Sequence, residues 1–417
     1  MRFHRDPIQV KEAQERILAF AAPSEKENVP LLECEGRRLA EAIRATHAVP
    51  HFPKSPYDGF AVRAEDTVGS SVEMPVELEV VGTIACGDEP TFAVGKGQAA
   101  RIMTGAAIPE GADCVIMFEM TTENETRVEQ YVGIKKEMQA GENIIQFGEE
   151  KKEGDLLLEA GKRIGPGEMA ILASFGYAEV PVYHLPRIGI LATGSELLLP
   201  EEPLRYGKIR NSNSYMTASQ VRQAGGIPVL YGNLEDDPDQ AVERVLTILE
   251  ETDMLITSGG VSVGDFDIMV EVFNRLSVDL LFNKIAMRPG SVTSAARYKD
   301  QFIFGLSGNP GACFVGFELF VRPLLAAMQG KQDVSLPEAT AILGVDMKKP
   351  SPFTRFVRSS WRIEEGRVVV YPVGRDKSGV LTNITDANCL MQIQPGGSGA
   401  AKGDTVTILM LPYNAGQ

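Results

Sequence analysis

The sequence predicts an α/β fold with β-rich accessory domains. Three observations carry that prediction. Strands and helices alternate from Arg187 to about Gly330, strands without helices fill much of 74–131 and 331–417, and 417 residues exceed what one hydrophobic core organises. The expected division is a discontinuous N-terminal α+β domain (1–50 and 141–186), a small β-rich domain (51–140), a central, mostly parallel α/β sheet domain (187–330) and a C-terminal β-barrel (331–417).

Each element follows from local pattern. Ile8, Val10, Ala13, Ile17 and Leu18 recur at spacings near three and four, which predicts an amphipathic helix from Ile8 to Ala21. The passage VPHFPKSPYDGF carries Pro50, Pro53 and Pro56, which neither a helix nor a central strand accepts, so an extended ordered loop or a linker is expected. VELEVVGTIA, QAARIMT, DCVIMFEMT and TRVEQYVGI, separated by Gly/Pro turns, read as strands. A glycine-punctuated stretch from Gly141 to Gly167 leads to a short helix near Glu168–Phe175.

The central domain begins with strand RIGILAT, followed by a helix capped by Asn213 or Ser214 and stopped at Gly225-Gly226. Strand IPVLYG precedes Asp237-Pro238, a helix start whose proline occupies the first turn, where its missing N–H costs no bond. Strand DMLITSGG, a helix near Phe266–Leu276 and strands VDLLFNKIAM and FIFGL complete the alternation. The helix GACFVGFELFVRPLLAAM is apolar nearly all round, so it belongs in the core. Strands SWRIEE, RVVVYPV, CLMQIQ and TVTILML make up the barrel.

Composition excludes several function classes. A net charge of −15 argues against nucleic-acid or anionic-membrane binding, which need basic faces. The five cysteines (Cys34, Cys86, Cys114, Cys313, Cys389) contain no CxxC pair, so neither a disulfide frame nor paired zinc ligands are expected, and a reduced compartment fits. The four histidines (His4, His47, His51, His184) show no HxH or HExxH spacing, which argues against a His-built metal site or a Ser-His-Asp triad. No run approaches the ~20 apolar residues of a membrane span, and MRFHRDPIQV is not a signal peptide, so the expected location is the cytoplasm. Carboxylates, Lys/Arg, backbone amides and Mg²⁺ are left to carry the chemistry.

Four glycine-marked loops leave strand ends of the central domain: Thr193-Gly194-Ser195-Glu196, Ser258-Gly259-Gly260-Val261-Ser262-Val263-Gly264-Asp265, Arg288-Pro289-Gly290-Ser291 and Ser307-Gly308-Asn309-Pro310-Gly311. Glycine lets a ligand approach the backbone, and exposed amides at helix starts favour an anion. Any one such loop is more often an ordinary turn, but four at the carboxyl ends of strands in one sheet describe a ligand site. Glu196, Asp236 and Asp267 accompany them. Acids beside anion-binding glycines need an intervening cation, which points to Mg²⁺. Lys284 and Arg288 would share one face if NKIAMRPG is a strand.

The runs PYDGFAVRAED, RIMTGAAIPEGADCVIMFE, ILATGSEL, ITSGGVSVGDFD, KIAMRPG and GLSGNPGACF closely resemble, in order and over essentially the whole chain, the molybdopterin molybdenumtransferase family. The resemblance implies an elongated homodimer of four-domain subunits, its active cleft lying between the α/β domain of one subunit and the N- and C-terminal parts of the other. It implies adenylylated molybdopterin and molybdate as substrates, cleavage of the phosphoanhydride with release of AMP, and assistance by Mg²⁺. It also implies the molybdopterin adenylyltransferase and cofactor-accepting enzymes as partners.

Site residues carry over by position. The family's essential aspartate falls on Asp58, and Thr104 is likewise a family position. Glu196, Asp236 and Asp267 match acids near the pterin phosphates and metal, so they are the expected catalytic acids and Mg²⁺ ligands. Lys284 and Arg288 match basic positions, and Arg355 and Ser378 match molybdate ligands. The expected substrate-binding backbone comprises Thr193, Gly194, Ser258, Gly259, Gly260, Ser262, Pro289, Gly290, Ser307, Gly308, Asn309 and Pro310.

Three departures touch single contacts. Glu150 replaces an aspartate in GED, SGNPGA replaces PGNPVS so that Ala312 offers no hydroxyl, and Ser291 removes the positive charge of PGKP. Two other readings stand beside the transferase. A molybdopterin adenylyltransferase would account for residues 187–330 but leave both flanks unexplained, and a non-catalytic scaffold would need no catalytic Asp58.

Overall fold

A six-stranded mixed sheet organises the larger of two units into which the chain divides; the computed structural model describes residues 6–123, 130–234, 237–259 and 268–413. This unit comprises Met1–Glu41, Ala160–Gly165 and Glu179–Gln417, and the other comprises Ala42–Glu159 and Pro166–Ala178. The sheet order is Ile227–Leu234, Arg187–Thr193, Met254–Ser258, Gln301–Leu306, Ser294–Tyr298, Asp279–Phe282. The first four strands pair in parallel; Ser294–Tyr298 alone runs the other way, so both of its pairings, with Gln301–Leu306 and with Asp279–Phe282, are antiparallel.

Alternate residues feed two cores, one on each face. Ile188, Ile190, Met254 and Ile256 enter one cluster, whereas Leu191 and Leu255 enter the other. Ser294–Tyr298 is a strand that the sequence pattern does not announce, because VTSAARY lacks large apolar residues. Its small side chains serve the same division, Ala295 on one face and Ala296 on the other.

Helix boundaries shift in instructive ways. The first helix spans Val10–Leu18, burying Ala13 and Ile17, while Ile8 lies outside it in a bridge to Ile285. The helix Asn213–Gln223 is not capped by Asn213 or Ser214. The Asn211 carboxamide oxygen accepts from the Ser214 N–H at 3.1 Å instead. Asp237 does cap Pro238–Glu251, accepting from the N–H groups of Asp239 and Gln240.

The helical run Pro310–Met328 is long and apolar enough to cross a membrane, with a mean hydropathy of 1.5, yet 83% of its apolar window is buried within the protein. It contains Glu318 and Arg322, which pair at 2.5 Å. Pro323 has no N–H to give the carbonyl four residues back, and the ladder widens to a π-turn at Phe317–Val321. The Leu319 carbonyl so released accepts from Gln14 Nε2 at 2.9 Å.

At the C-terminal end, Glu338–Leu343, Thr354–Glu364, Arg367–Pro372, Cys389–Ile393 and Thr405–Met410 close into a five-stranded barrel through the pairing of Thr354–Glu364 with Cys389–Ile393. The run VDLLFNKIAM is not one strand. Asp279–Phe282 stays in the mixed sheet, and Met287–Arg288 leaves it to pair in parallel with Thr354–Arg355 of the barrel.

The second unit holds a six-stranded sheet ordered Cys114–Met117, Gly59–Val62, Gln98–Ile102, Val76–Ile84, Tyr131–Ile134, Thr121–Glu123. Gly59–Val62 emerges from the proline-rich loop and is buried at every position. A Cβ on Gly59 would meet the Ile116 carbonyl, so only glycine permits this strand spacing.

Candidate active site

The carboxyl ends of the parallel strands open into a cleft of about 540 Å³. Thr193, Gly194, Glu196, Ser258, Gly259, Ser307, Gly308, Asn309 and Pro310 line it, so three of the four glycine loops meet there. Backbone geometry requires the glycines. Gly259 has φ +88°, and a Cβ there would lie 2.6 Å from the Thr193 carbonyl oxygen. Gly194 has φ +138°, and a Cβ there would run into the Glu196 carboxylate.

Lateral bonds fix the loops against each other. The Gly259 N–H donates to Leu306 O at 3.1 Å, and Thr193 Oγ1 donates to Ser258 O at 3.4 Å. Asn213 Nδ2 donates to Gly308 O at 2.9 Å. Arg210, Asn211 and Asn213 also line this cleft, and the sequence reading missed their site role. The NSN run beside a helix start was the available signal.

A second cleft, of about 650 Å³, adjoins the first, and Val292, Ser307 and Asn309 line both. Arg288, Pro289, Gly290, Ser291, Arg355 and Ser378 line it as well. Arg288 lies opposite Arg355 in the short parallel ladder, which brings two guanidinium-bearing residues to one edge. Lys349 and Lys377 add two more cations, and Asp376 is the only acid among the lining residues. Arg355 is buried, pairs with Asp376 and donates to Lys349 O at 3.2 Å. In a chain of net charge −15, this is a local concentration of positive charge suited to a small anion.

The molybdate-ligand candidates Arg355 and Ser378 therefore line one cleft with the Arg288–Val292 loop of the same chain. Lys284 lines neither cleft. The strand needed to align it with Arg288 does not exist, because the chain crosses from sheet to barrel between them. Lys349 and Lys377 were not legible, since only barrel closure delivers them.

In the second unit, Asp58 Oδ1 accepts from the Thr104 N–H at 2.6 Å and from Thr104 Oγ1 at 2.7 Å. This is a contact between distant segments, not an Asx-turn. The Thr104 backbone N–H, then its hydroxyl, holds the Asp58 carboxyl below its ordinary range, with a weak opposing contribution from burial. Glu150 is exposed, and its N–H donates to Val49 O at 3.0 Å. Asp236, Asp267, Gly260 and Ser262 lie outside the described residues. No group of three or more potential metal ligands occurs among the described residues.

Comparison with known proteins decides the family. Residues 8–176 match the model described as "MoeA N-terminal region (domain I and II)", 189–327 that described as "Probable molybdopterin binding domain", and 340–411 that described as "MoeA C-terminal region (domain IV)". The molybdopterin molybdenumtransferase of Bacillus subtilis (strain 168) is 47% identical over 407 residues, covering 98% of this chain and 95% of that protein. The chain belongs to the molybdopterin molybdenumtransferase family.

A second relative of that name, from Staphylococcus aureus (strain COL), is 43% identical over 413 residues, covering 99% of this chain and 98% of that protein. The crystal structure of the molybdopterin biosynthesis MoeA protein from Pyrococcus horikosii superposes with a TM-score of 0.85 at 30% identity, covering 97% of this chain and 99% of that one. These molybdenumtransferase alignments run through both flanks of 187–330 as well as through the central domain.

Proposed function

We propose that this protein inserts molybdenum into adenylylated molybdopterin, cleaving the phosphoanhydride and releasing AMP. The observation that carries the proposal is the junction at Ser307 and Asn309 of a glycine-loop cleft with a cationic one. Molybdate is a small dianion and suits the cationic side, where Arg288, Arg355 and Lys377 supply charge and Ser378 a hydroxyl. A pyrophosphate suits the glycine side, where Gly194, Gly259 and Gly308 let it approach the backbone.

Phosphoanhydride cleavage needs charge neutralisation and positioning more than a nucleophilic side chain. Asp58, ionised and held by Thr104, is the proposed catalytic carboxylate. Glu196 is exposed at the glycine cleft, and no hydrogen bond or ion pair engages its carboxylate among the described residues, so a hard oxygen donor is available for Mg²⁺. Glu196, with Asp236 and Asp267, would hold that ion. When bound, Mg²⁺ would offset the charge of the bridging phosphates.

A homodimer in the cytoplasm completes the proposal. The five scattered cysteines, with no CxxC pair, suit a reduced compartment. Molybdate-triggered AMP release from adenylylated molybdopterin tests the reading. ATP consumption with unmodified molybdopterin would instead identify an adenylyltransferase, and neither activity would leave a binding or scaffold protein.

A further inference from the structure

Behind the cationic cleft lies an arginine that does not line it. Arg358, on strand Thr354–Glu364, is only 3% exposed. Its Nη2 donates to Lys377 O at 2.8 Å and its Nη1 to Val380 O at 3.3 Å. Between those two carbonyls, Ser378 O accepts from the Gly311 N–H at 2.9 Å. The loop that presents Lys377 and Ser378 to the cleft is thus held by a guanidinium and by the first turn of the helix Pro310–Gly316.

Gly311 is what allows the guanidinium in. A Cβ at that position would overlap Arg358 Nη1 and lie 2.9 Å from Ser378 O. The neighbouring Ala312 lines the cleft without a hydroxyl to offer an anion. Burial opposes the charge of Arg358, while Asp376 supports it. An arginine stays protonated in such a setting, so its charge lies directly behind the loop.

We propose that Arg358 is a positioning residue for the anion cleft. Together with Gly311 it clamps the 377–380 loop so that Lys377 and Ser378 face the ligand, and its buried charge raises the affinity for a tetrahedral oxyanion. The inference rests on the reading that this cleft takes molybdate.

Calorimetric titration of the full-length protein with molybdate, and separately with adenylylated molybdopterin, tests it. Arg358→Ala should weaken molybdate binding at least tenfold and leave the pterin ligand within twofold. Arg358→Lys should recover part of the loss, because it keeps the charge and one donor. Gly311→Ala should weaken molybdate comparably, since its methyl group takes the place of the guanidinium. The double variant Gly311→Ala/Arg358→Ala should bind no more weakly than Arg358→Ala alone.

Unchanged molybdate affinity in the single variants, additive losses in the double one, or equal losses for both ligands would each overturn the clamp. If Arg358→Ala does not fold, Gly311→Ala and Arg358→Lys carry the same comparison. Wild-type protein that binds no molybdate would remove the reading of the cleft and this proposal together. Wild-type binding with unaffected variants would remove only the proposal.

Discussion

Asp58 and Thr104, 46 residues apart in sequence, are joined through one carboxylate oxygen that accepts both the backbone N–H and the hydroxyl of the threonine. Both donors favour the ionised acid and hold its pKa down, the N–H being the larger influence. Thr104→Val removes only the hydroxyl. The depressed pKa should then rise, so activity that depends on ionised Asp58 is lost at a higher pH as the solution is acidified. The acid limb of the kcat/KM profile should move upward in pH with its neutral plateau retained. An unmoved limb would mean that another group sets it.

Asp58→Asn keeps an acceptor for Thr104 but removes the charge. AMP release should fall by about a thousandfold, the upper range for loss of one preorganised charged or polar group at a reacting centre. Binding of adenylylated molybdopterin should stay within ~1 kcal/mol of wild type, several-fold at most. Titration of the variant with that ligand checks the split between turnover and binding; parallel loss of both would assign Asp58 to binding or folding.

Arg355 is almost fully buried and paired with Asp376, so its contribution to an anion is poorly screened. Arg355→Ala should raise the KM for molybdate by roughly 1.5–3 kcal/mol in equivalent binding energy, the worth of a hydrogen bond to a charged group. Steady-state kinetics with molybdate varied at saturating pterin measures it. Lys284→Ala should leave that KM within about twofold, because Lys284 lines neither cleft.

The glycine loops were legible because a positive φ leaves a mark in sequence, as at Gly194 and Gly259. The core helix was legible from its apolar surface. Lys284 was misplaced because period-two reasoning assumes a continuous strand, and the two-residue ladder Met287–Arg288 belongs to another sheet. Lys349, Lys377 and Arg358 meet the 288–312 region only after the barrel closes, a long-range event that local pattern does not encode. Strands Gly59–Val62 and Ser294–Tyr298 were hidden by shortness and small side chains.

Glu318 and Arg322 form a buried ion pair within the core helix, with side-chain exposures of 0% and 11%. Gln220 Nε2 donates to Glu318 at 2.6 Å, and Tyr413 hydrogen-bonds to both partners of the pair. Glu318→Ala strands the guanidinium and should destabilise the larger unit by about 3–5 kcal/mol. Urea denaturation followed by tryptophan fluorescence of Trp361, the chain's single tryptophan, reports it. A loss below about 1 kcal/mol would show that water or a rearranged Tyr413 takes over the charge.

The central claim is that neighbouring clefts bring molybdate and a nucleotide-linked pterin together in one reaction. The most direct measurement is the stoichiometry of molybdenum bound in pterin product to AMP freed, by mass spectrometry and chromatography of one quenched turnover with Mg²⁺ and molybdate. The account predicts one molybdenum inserted for each AMP, and almost no AMP when molybdate is withheld. AMP appearing at the same rate without molybdate, and without metal-loaded product, would contradict it.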